Sequence, residues 1–198
     1  TRPTSKLVLP PEGGTLASPQ SRRMLATISG TAADESGGTV KGKVGSVELR
    51  ILDTVDTKYW SPSSDDFITF GEPGDAWFIC LSTDARWTVW QSTFNENKWT
   101  EGKTFRIEVR SQDRANNYDV TTSTVFFKWD RTPPESAVVL PENDKSYREL
   151  ATISGTIKDL AGAAIGVGIA DKTKVKVAIK KNDQATDPWW DGFSGFNK

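Results

Sequence analysis

Seven residues of this chain occur twice, letter for letter. Leu25-Ala26-Thr27-Ile28-Ser29-Gly30-Thr31 returns as Leu150-Ala151-Thr152-Ile153-Ser154-Gly155-Thr156. The flanks follow: Leu7-Val8-Leu9-Pro10 lines up with Val138-Val139-Leu140-Pro141. Self-similarity at so long a period predicts tandem domains, each folding to the same plan. Arrays of this kind set length and adhesion more often than they carry chemistry.

The two copies are unequal. The first spans residues 1–130 and reads as a complete domain. Residues 131–141 form a Pro-containing linker and the first strand of the next copy. Residues 142–198 read as the N-terminal half of a second repeat, with Trp189-Trp190 standing where the first has Tyr59-Trp60. Nothing in the second copy matches Phe94 to Trp129, so the chain is expected to be a piece of a longer one.

Period-two alternation marks the strands. Val47, Leu49 and Ile51 alternate with Glu48 and Arg50; Phe105, Ile107 and Val109 alternate with Arg106, Glu108 and Arg110. Val125, Phe127 and Trp129 do the same, as do Val175, Val177 and Ile179 among lysines. Each pattern turns one face to a core and the other to water. Turn clusters such as Glu72-Pro73-Gly74-Asp75 and Asp113-Arg114-Ala115-Asn116-Asn117 separate them. Strands are predicted near 5–9, 24–31, 44–52, 76–82, 86–93, 103–112 and 121–129, a pattern that argues for a two-sheet antiparallel β-sandwich. The surplus over a minimal sandwich domain falls in Thr57 to Asp75 and in the lead-in from Gly13 to Arg23. No helical stripe is present.

Composition removes several function classes. With no His and one Cys, a Ser-His-Asp triad, a Cys-His pair and a zinc site built on His or four Cys cannot form within this chain. Cys80, in the apolar run Trp77 to Leu81, reads as a buried, inert thiol. A net charge of −1 supplies no basic field, so nucleic acid is not expected as a partner. The glycine-broken run from Leu160 to Ala170 is too short to span a bilayer, so no membrane insertion is expected of this segment. Asp65-Asp66 and the pair Glu72 and Asp75 offer carboxylates for glycoside hydrolysis, but they sit in turn-like segments with no sign of a cleft. No enzyme is expected.

Three motifs, in order, carry a resemblance. Ile28-Ser29-Gly30-Thr31-Ala32-Ala33-Asp34 resembles the opening of bacterial Ig-like repeats. Val109 to Asn117 resembles their Asp-containing loop, and Phe127-Lys128-Trp129-Asp130-Arg131-Thr132-Pro133-Pro134 resembles their exit into the next repeat. The resemblance implies an all-β fold of tandem Ig-like antiparallel sandwiches, the second incomplete. It also implies a non-enzymatic, extracellular, cell-surface role in a stalk, appendage or filament. Asn116 replaces the family's usual Gly, and Asn tolerates the left-handed backbone the loop needs. The tryptophan-rich stretch from Asp75 to Trp90 departs from the family pattern, and the sequence assigns it no role.

No cofactor is required by this reading. The resemblance implies calcium as a candidate ligand, held by Asp34 and Glu35 with Asp113, Asn116 and Asn117 at one end of the domain. At the junction between repeats Asp130 and Asp159 would hold it. Carboxylate and amide oxygens are what Ca²⁺ takes. The competing reading is that these residues cap their own turns. A second set of candidates is aromatic. Tyr59, Trp60, Trp189 and Trp190 are adjacent pairs whose members point to opposite faces of a strand. An exposed ring could stack on a surface glycan or on a like protomer. The partners expected are neighbouring Ig-like repeats or like protomers, with surface glycans for a carbohydrate-binding alternative. A further alternative is a self-assembling filament, in which a neighbour's strand completes the half-repeat.

Overall fold

The computed structural model describes residues 2–34, 43–84, 86–159, 175–181, 186–192 and 196–197. Glu35 lies outside them. The chain divides into two compact units, Thr1–Gly168 and Ile169–Lys198. Among the described residues every long-range element is a strand; the only helical pieces are single 3₁₀ turns at Pro73–Ala76 and Glu96–Lys98.

In the first unit a smaller sheet runs β1 (Thr4–Leu9), β3 (Thr27–Ala33), β9 (Val89–Thr93), β8 (Leu81–Ser82), all antiparallel. A larger sheet runs β2 (Gln20–Arg22), β11 (Ser123–Trp129), β10 (Thr104–Asp113), β4 (Val44–Asp53), β5 (Lys58–Ser61), β6 (Asp66–Ile68), with β7 (Phe78–Ile79) also on β4. Its one parallel pair is β2 on β11, with Phe127 opposite Gln20. The alternation in β4 and β10 sets their register: Ile107 opposes Ile51 and Val109 opposes Leu49. A one-residue slip would turn both apolar rows to water, so burial fixes this pairing. Leu7, Ile28 and Trp90 of the smaller sheet share one core with Val47, Leu49, Ile51, Phe105, Ile107, Val109, Val125, Phe127 and Trp129 of the larger. Each such side chain contributes about 1.5–3 kcal/mol on burial.

The aromatic end of this core is continuous. Trp99 stacks on Phe94 at 3.9 Å and meets Phe105 and Phe127 edge-on at 4.8 and 5.0 Å. Its indole N–H donates to the Leu25 carbonyl at 3.1 Å. The ring therefore satisfies its one donor while buried.

Several strand expectations differ from what is observed, each for a local reason. The strand predicted over 76–82 is two strands in two sheets. The chain crosses between the sheets at Cys80, which is buried and donates its N–H to the Val47 carbonyl at 2.9 Å. Burial pushes the Cys80 thiol well above its ordinary range. The strand predicted from 86 starts at Val89, because Asp84 Oδ1 accepts the N–H groups of Arg86 and Thr88 and holds a turn there. The surplus from Thr57 to Asp75 holds β5 and β6, and the lead-in holds β2, which periodicity misses at three or four residues each. Residues 175–179 make no ladder, although Val175, Val177 and Ile179 alternate with lysines; alternation without a paired edge leaves an exposed segment.

The repeated heptapeptide enters the same strand pairing twice, through its Ser-Gly-Thr residues. β12 (Glu135–Leu140) pairs antiparallel with β13 (Ser154–Lys158). Val138 opposes Gly155 and Leu140 opposes Ser154, with an irregularity between Val138 and Leu140. In the first copy Leu7 opposes Gly30 and Leu9 opposes Ser29, with the same irregularity between Leu7 and Leu9. The surroundings differ. Leu7 is 1% exposed and Ile28 0%, whereas Val138 is 68% and Ile153 40%. Among the described residues β13 has β12 as its only neighbour, while β3 lies between β1 and β9.

In the second unit β14 (Trp189–Trp190) pairs with β15 (Phe196–Asn197). Lys180 forms an isolated bridge to Trp189, with its ammonium 5.4 Å from the ring centre.

Candidate functional site

Asp113 ends β10 and is buried. Its Oδ1 accepts the N–H groups of Ala115 at 2.7 Å and Asn117 at 2.8 Å, and its Oδ2 accepts from Asn117 Nδ2 at 2.8 Å. Asn116 has φ +67°, the left-handed turn that Asn was expected to tolerate. The hydrogen bonds from the Asn117 side chain and backbone hold the Asp113 carboxyl below the usual carboxylate range. Both oxygens are thus engaged by donors of the loop itself, which is what a turn cap requires and what a cation shell would have to displace. Asp34 follows β3 directly, at the same end of the domain. That end is tied together by Ser5 Oγ, which donates to Asp119 Oδ2 at 2.5 Å.

The opposite end carries the junction. Asp130 N–H donates to the Arg22 carbonyl at 2.8 Å. Arg131 N–H donates to the Glu101 carboxylate at 3.0 and 3.1 Å, and Thr132 Oγ1 donates to it at 2.9 Å. The Thr132 N–H is shared, 3.3 Å from Glu101 Oε1 and 3.2 Å from Asp130 Oδ1. Arg131 also reaches Glu96 at 3.2 Å. Three successive residues of the exit are therefore fixed to the body of the first repeat. Burial, then the negative charges of Asp159 and Glu101, push the Asp130 carboxyl above its ordinary value. Burial works the same way on Glu101, but the donors on Arg131 and Thr132 outweigh it and hold that carboxyl low. Asp159 Oδ1 is buried without a hydrogen-bond partner.

The sequence placed Asp130 and Asp159 together, and they are close enough to interact. Glu101, which sequence reasoning missed, joins them. Among the described residues no group of three or more Cys, His, Asp or Glu side chains is placed to hold a metal ion.

The aromatic candidates divide. Trp60 is 6% exposed and packs against Phe94 at 4.6 Å and Phe67 at 5.4 Å. It forms part of the floor of a groove of about 540 Å³ with Phe78 and Phe94, rimmed by Asp65 and Asn95. Tyr59 points the other way, toward Arg50, whose guanidinium lies 5.7 Å from the ring. Trp189 and Trp190 are 51% and 41% exposed.

The tryptophan-rich stretch has a place as well. Trp77 lies on the outer face of the larger sheet between Arg50 at 4.5 Å and Arg110 at 4.2 Å, and Arg110 also covers Tyr118 at 4.2 Å. Both guanidinium groups are ion-paired, Arg50 to Glu108 at 2.8 Å and Arg110 to Glu48 at 2.7 Å. Arg50 also donates to the Pro73 carbonyl at 3.1 Å. The loop is clamped over the sheet and protects its outer face.

No family model matches this chain, and neither a curated protein nor a solved structure matches it.

Proposed function

We propose that the chain is a non-enzymatic structural module of a tandem Ig-like array, part of a stalk, appendage or filament outside a bacterial cell. One observation carries the reading. The same heptapeptide closes the same hairpin twice, in the same register, as one architectural unit used in series would. The junction adds to it. Glu101 grips the backbone of Arg131 and Thr132, which restricts the hinge where a stalk would otherwise bend. Hydrophobic burial holds the first module, and the junction hydrogen bonds set the angle at which the next one leaves.

The test is location. Antibodies against this chain should label intact cells that make the protein. Labelling that appears only after lysis would sink the surface reading.

Among the described residues β13 pairs with β12 alone, and this favours a second reading, a filament subunit completed by a neighbour's strand. An edge with bare N–H and C=O groups is a template for strand addition.

A further inference from the structure

We propose that residues 5–23 and 119–131 form a load-bearing zipper, bolted by Ser123, that keeps the first repeat folded under tension between β1 and the linker. The proposal rests on the array reading above, which puts the module in a chain under tension. The two segments meet residue by residue in the same order. Ser5 Oγ donates to Asp119 Oδ2 at 2.5 Å, and the Leu7 N–H donates to Ser123 Oγ at 2.9 Å. The Phe126 N–H donates to the Gly13 carbonyl at 3.1 Å. Gln20, Ser21 and Arg22 then stand opposite Phe127, Lys128 and Trp129 in the parallel ladder. The Asp130 N–H donates to the Arg22 carbonyl at 2.8 Å, and Arg131 Nε donates to the Arg23 carbonyl at 3.3 Å. The pairing thus runs from one end of the domain to the other.

Direction decides what such a pairing does under load. β1 begins beside Asp119, and the linker leaves beside Asp130 at the opposite end. Pulling the two apart slides the segments past each other. The bonds lie across the strands, so they resist together instead of opening one by one. Two features keep slack out of the zipper. Thr15 and Ser18 turn out of line, but Gln20 Nε2 closes the neck of that turn, donating to the Pro11 and Glu12 carbonyls at 3.4 and 3.3 Å. At that neck Gly14 has φ +71°, and an added Cβ would lie 2.4 Å from the Phe126 carbonyl oxygen, so the turn is pressed onto β11. The second feature is Ser123. β1 and β11 belong to different sheets, and a side chain links them. The Ser123 hydroxyl accepts from Leu7 and donates to the Glu12 carboxylate. It is buried, so water does not compete for either bond.

The test pulls the full 198-residue chain at constant force through thiol handles, on a Cys80→Ala background. Handles at Arg2→Cys and Pro134→Cys load the zipper in shear. Handles at Met24→Cys and Pro134→Cys grip one end of the parallel pair, beside the Arg131–Arg23 contact, and open it bond by bond. Unfolding in the second geometry should be at least about tenfold faster, because single bonds then break in turn. Ser123→Ala removes two hydrogen bonds and should speed the shear pull about tenfold, while leaving the other geometry unchanged. Trp77→Ala, away from this path, should lower the thermal midpoint yet change the shear rate less than about twofold. Equal rates in the two geometries, or Trp77→Ala acting as strongly as Ser123→Ala, would overturn the zipper. The comparison of geometries needs no change at Ser123, so it stands even where Ser123→Ala fails to fold. Geometry dependence without surface labelling keeps the zipper and removes the stalk. Surface labelling without geometry dependence does the reverse.

Discussion

Gly30→Ala should destabilise the first repeat far more than Gly155→Ala, although both glycines sit in the same seven residues. At Gly30 the new methyl group meets the Lys6 carbonyl oxygen on one side and the Trp90 ring on the other. Neither can give way cheaply. The carbonyl belongs to the backbone of β1, and the ring is locked among core side chains. Overpacking one contact costs about 1–3 kcal/mol. Two at once add to about 2–6, from which the stiffer unfolded chain of alanine subtracts about 0.4–1 kcal/mol. The net loss of about 2–5 kcal/mol corresponds to a midpoint about 8–20 °C lower for a domain of this size. At Gly155 the three atoms nearest the same methyl group are all backbone, and nothing in the core of the first repeat rests on it. Thermal unfolding followed by tryptophan fluorescence reads the difference, because Trp90, Trp99 and Trp129 are buried together in that core. A Gly30→Ala midpoint within about 2 °C of the parent, or equal drops for the two variants, would refute the claim that Trp90 seats on Gly30.

Three further outcomes follow from the same geometry. Trp77→Ala removes two ring–guanidinium contacts and should cost about 1–2 kcal/mol; a double-mutant cycle with Arg110→Ala in urea should show coupling, and additive losses would deny the clamp. Asp113 is held below its ordinary value by Asn117 and Ala115, so its contribution is present above the unfolded value of about 3.9 and lost as pH falls through the folded one; Asp113→Asn should lower the midpoint at pH 7 and flatten that acid limb, and an unchanged limb would show that the turn does not need the charge. Asp130 is shifted the other way, so its contribution is full below the unfolded value and fades as pH rises through the folded one; Asp130→Asn should remove that component of the pH profile, and a profile identical to the parent would show that burial and the Asp159 and Glu101 charges do not act on it.

What was legible in the sequence was whatever is local or periodic. Val47, Leu49 and Ile51 alternate because β4 has one wet face and one dry one, and that pattern survives any arrangement of neighbours. The left-handed turn at Asn116 was legible for the same reason, since Asp113 and Asn117 are four residues apart and need no third element. Short strands were not legible. β2 and β7 hold three and two residues, fewer than one period of alternation can distinguish from chance. The split at Cys80 was hidden because both halves are apolar, and only the third dimension says that they serve different sheets.

The candidate site divides along the same line, and this bears on what kind of molecule the chain is. Glu101 lies in a Glu-Gly turn and looks like one more solvated loop carboxylate. Its importance arises because β10 and β11 pair in a fixed register, with Thr104 opposite Lys128, which brings the turn before β10 beside the exit after β11. Trp77 is alike: the ladder with Arg50 and Arg110 exists only once β4 and β10 place the two arginines on one face. In both cases the tertiary fold recruits polar groups to pin a segment that would otherwise swing. The Asp113 oxygens are engaged by backbone and side-chain donors of its own turn, and the Glu101 carboxylate by the linker. Charged and aromatic groups engaged on the protein's own loops in this way fit the structural role proposed above, and among the described residues β13 pairs with β12 alone where β3 lies between β1 and β9.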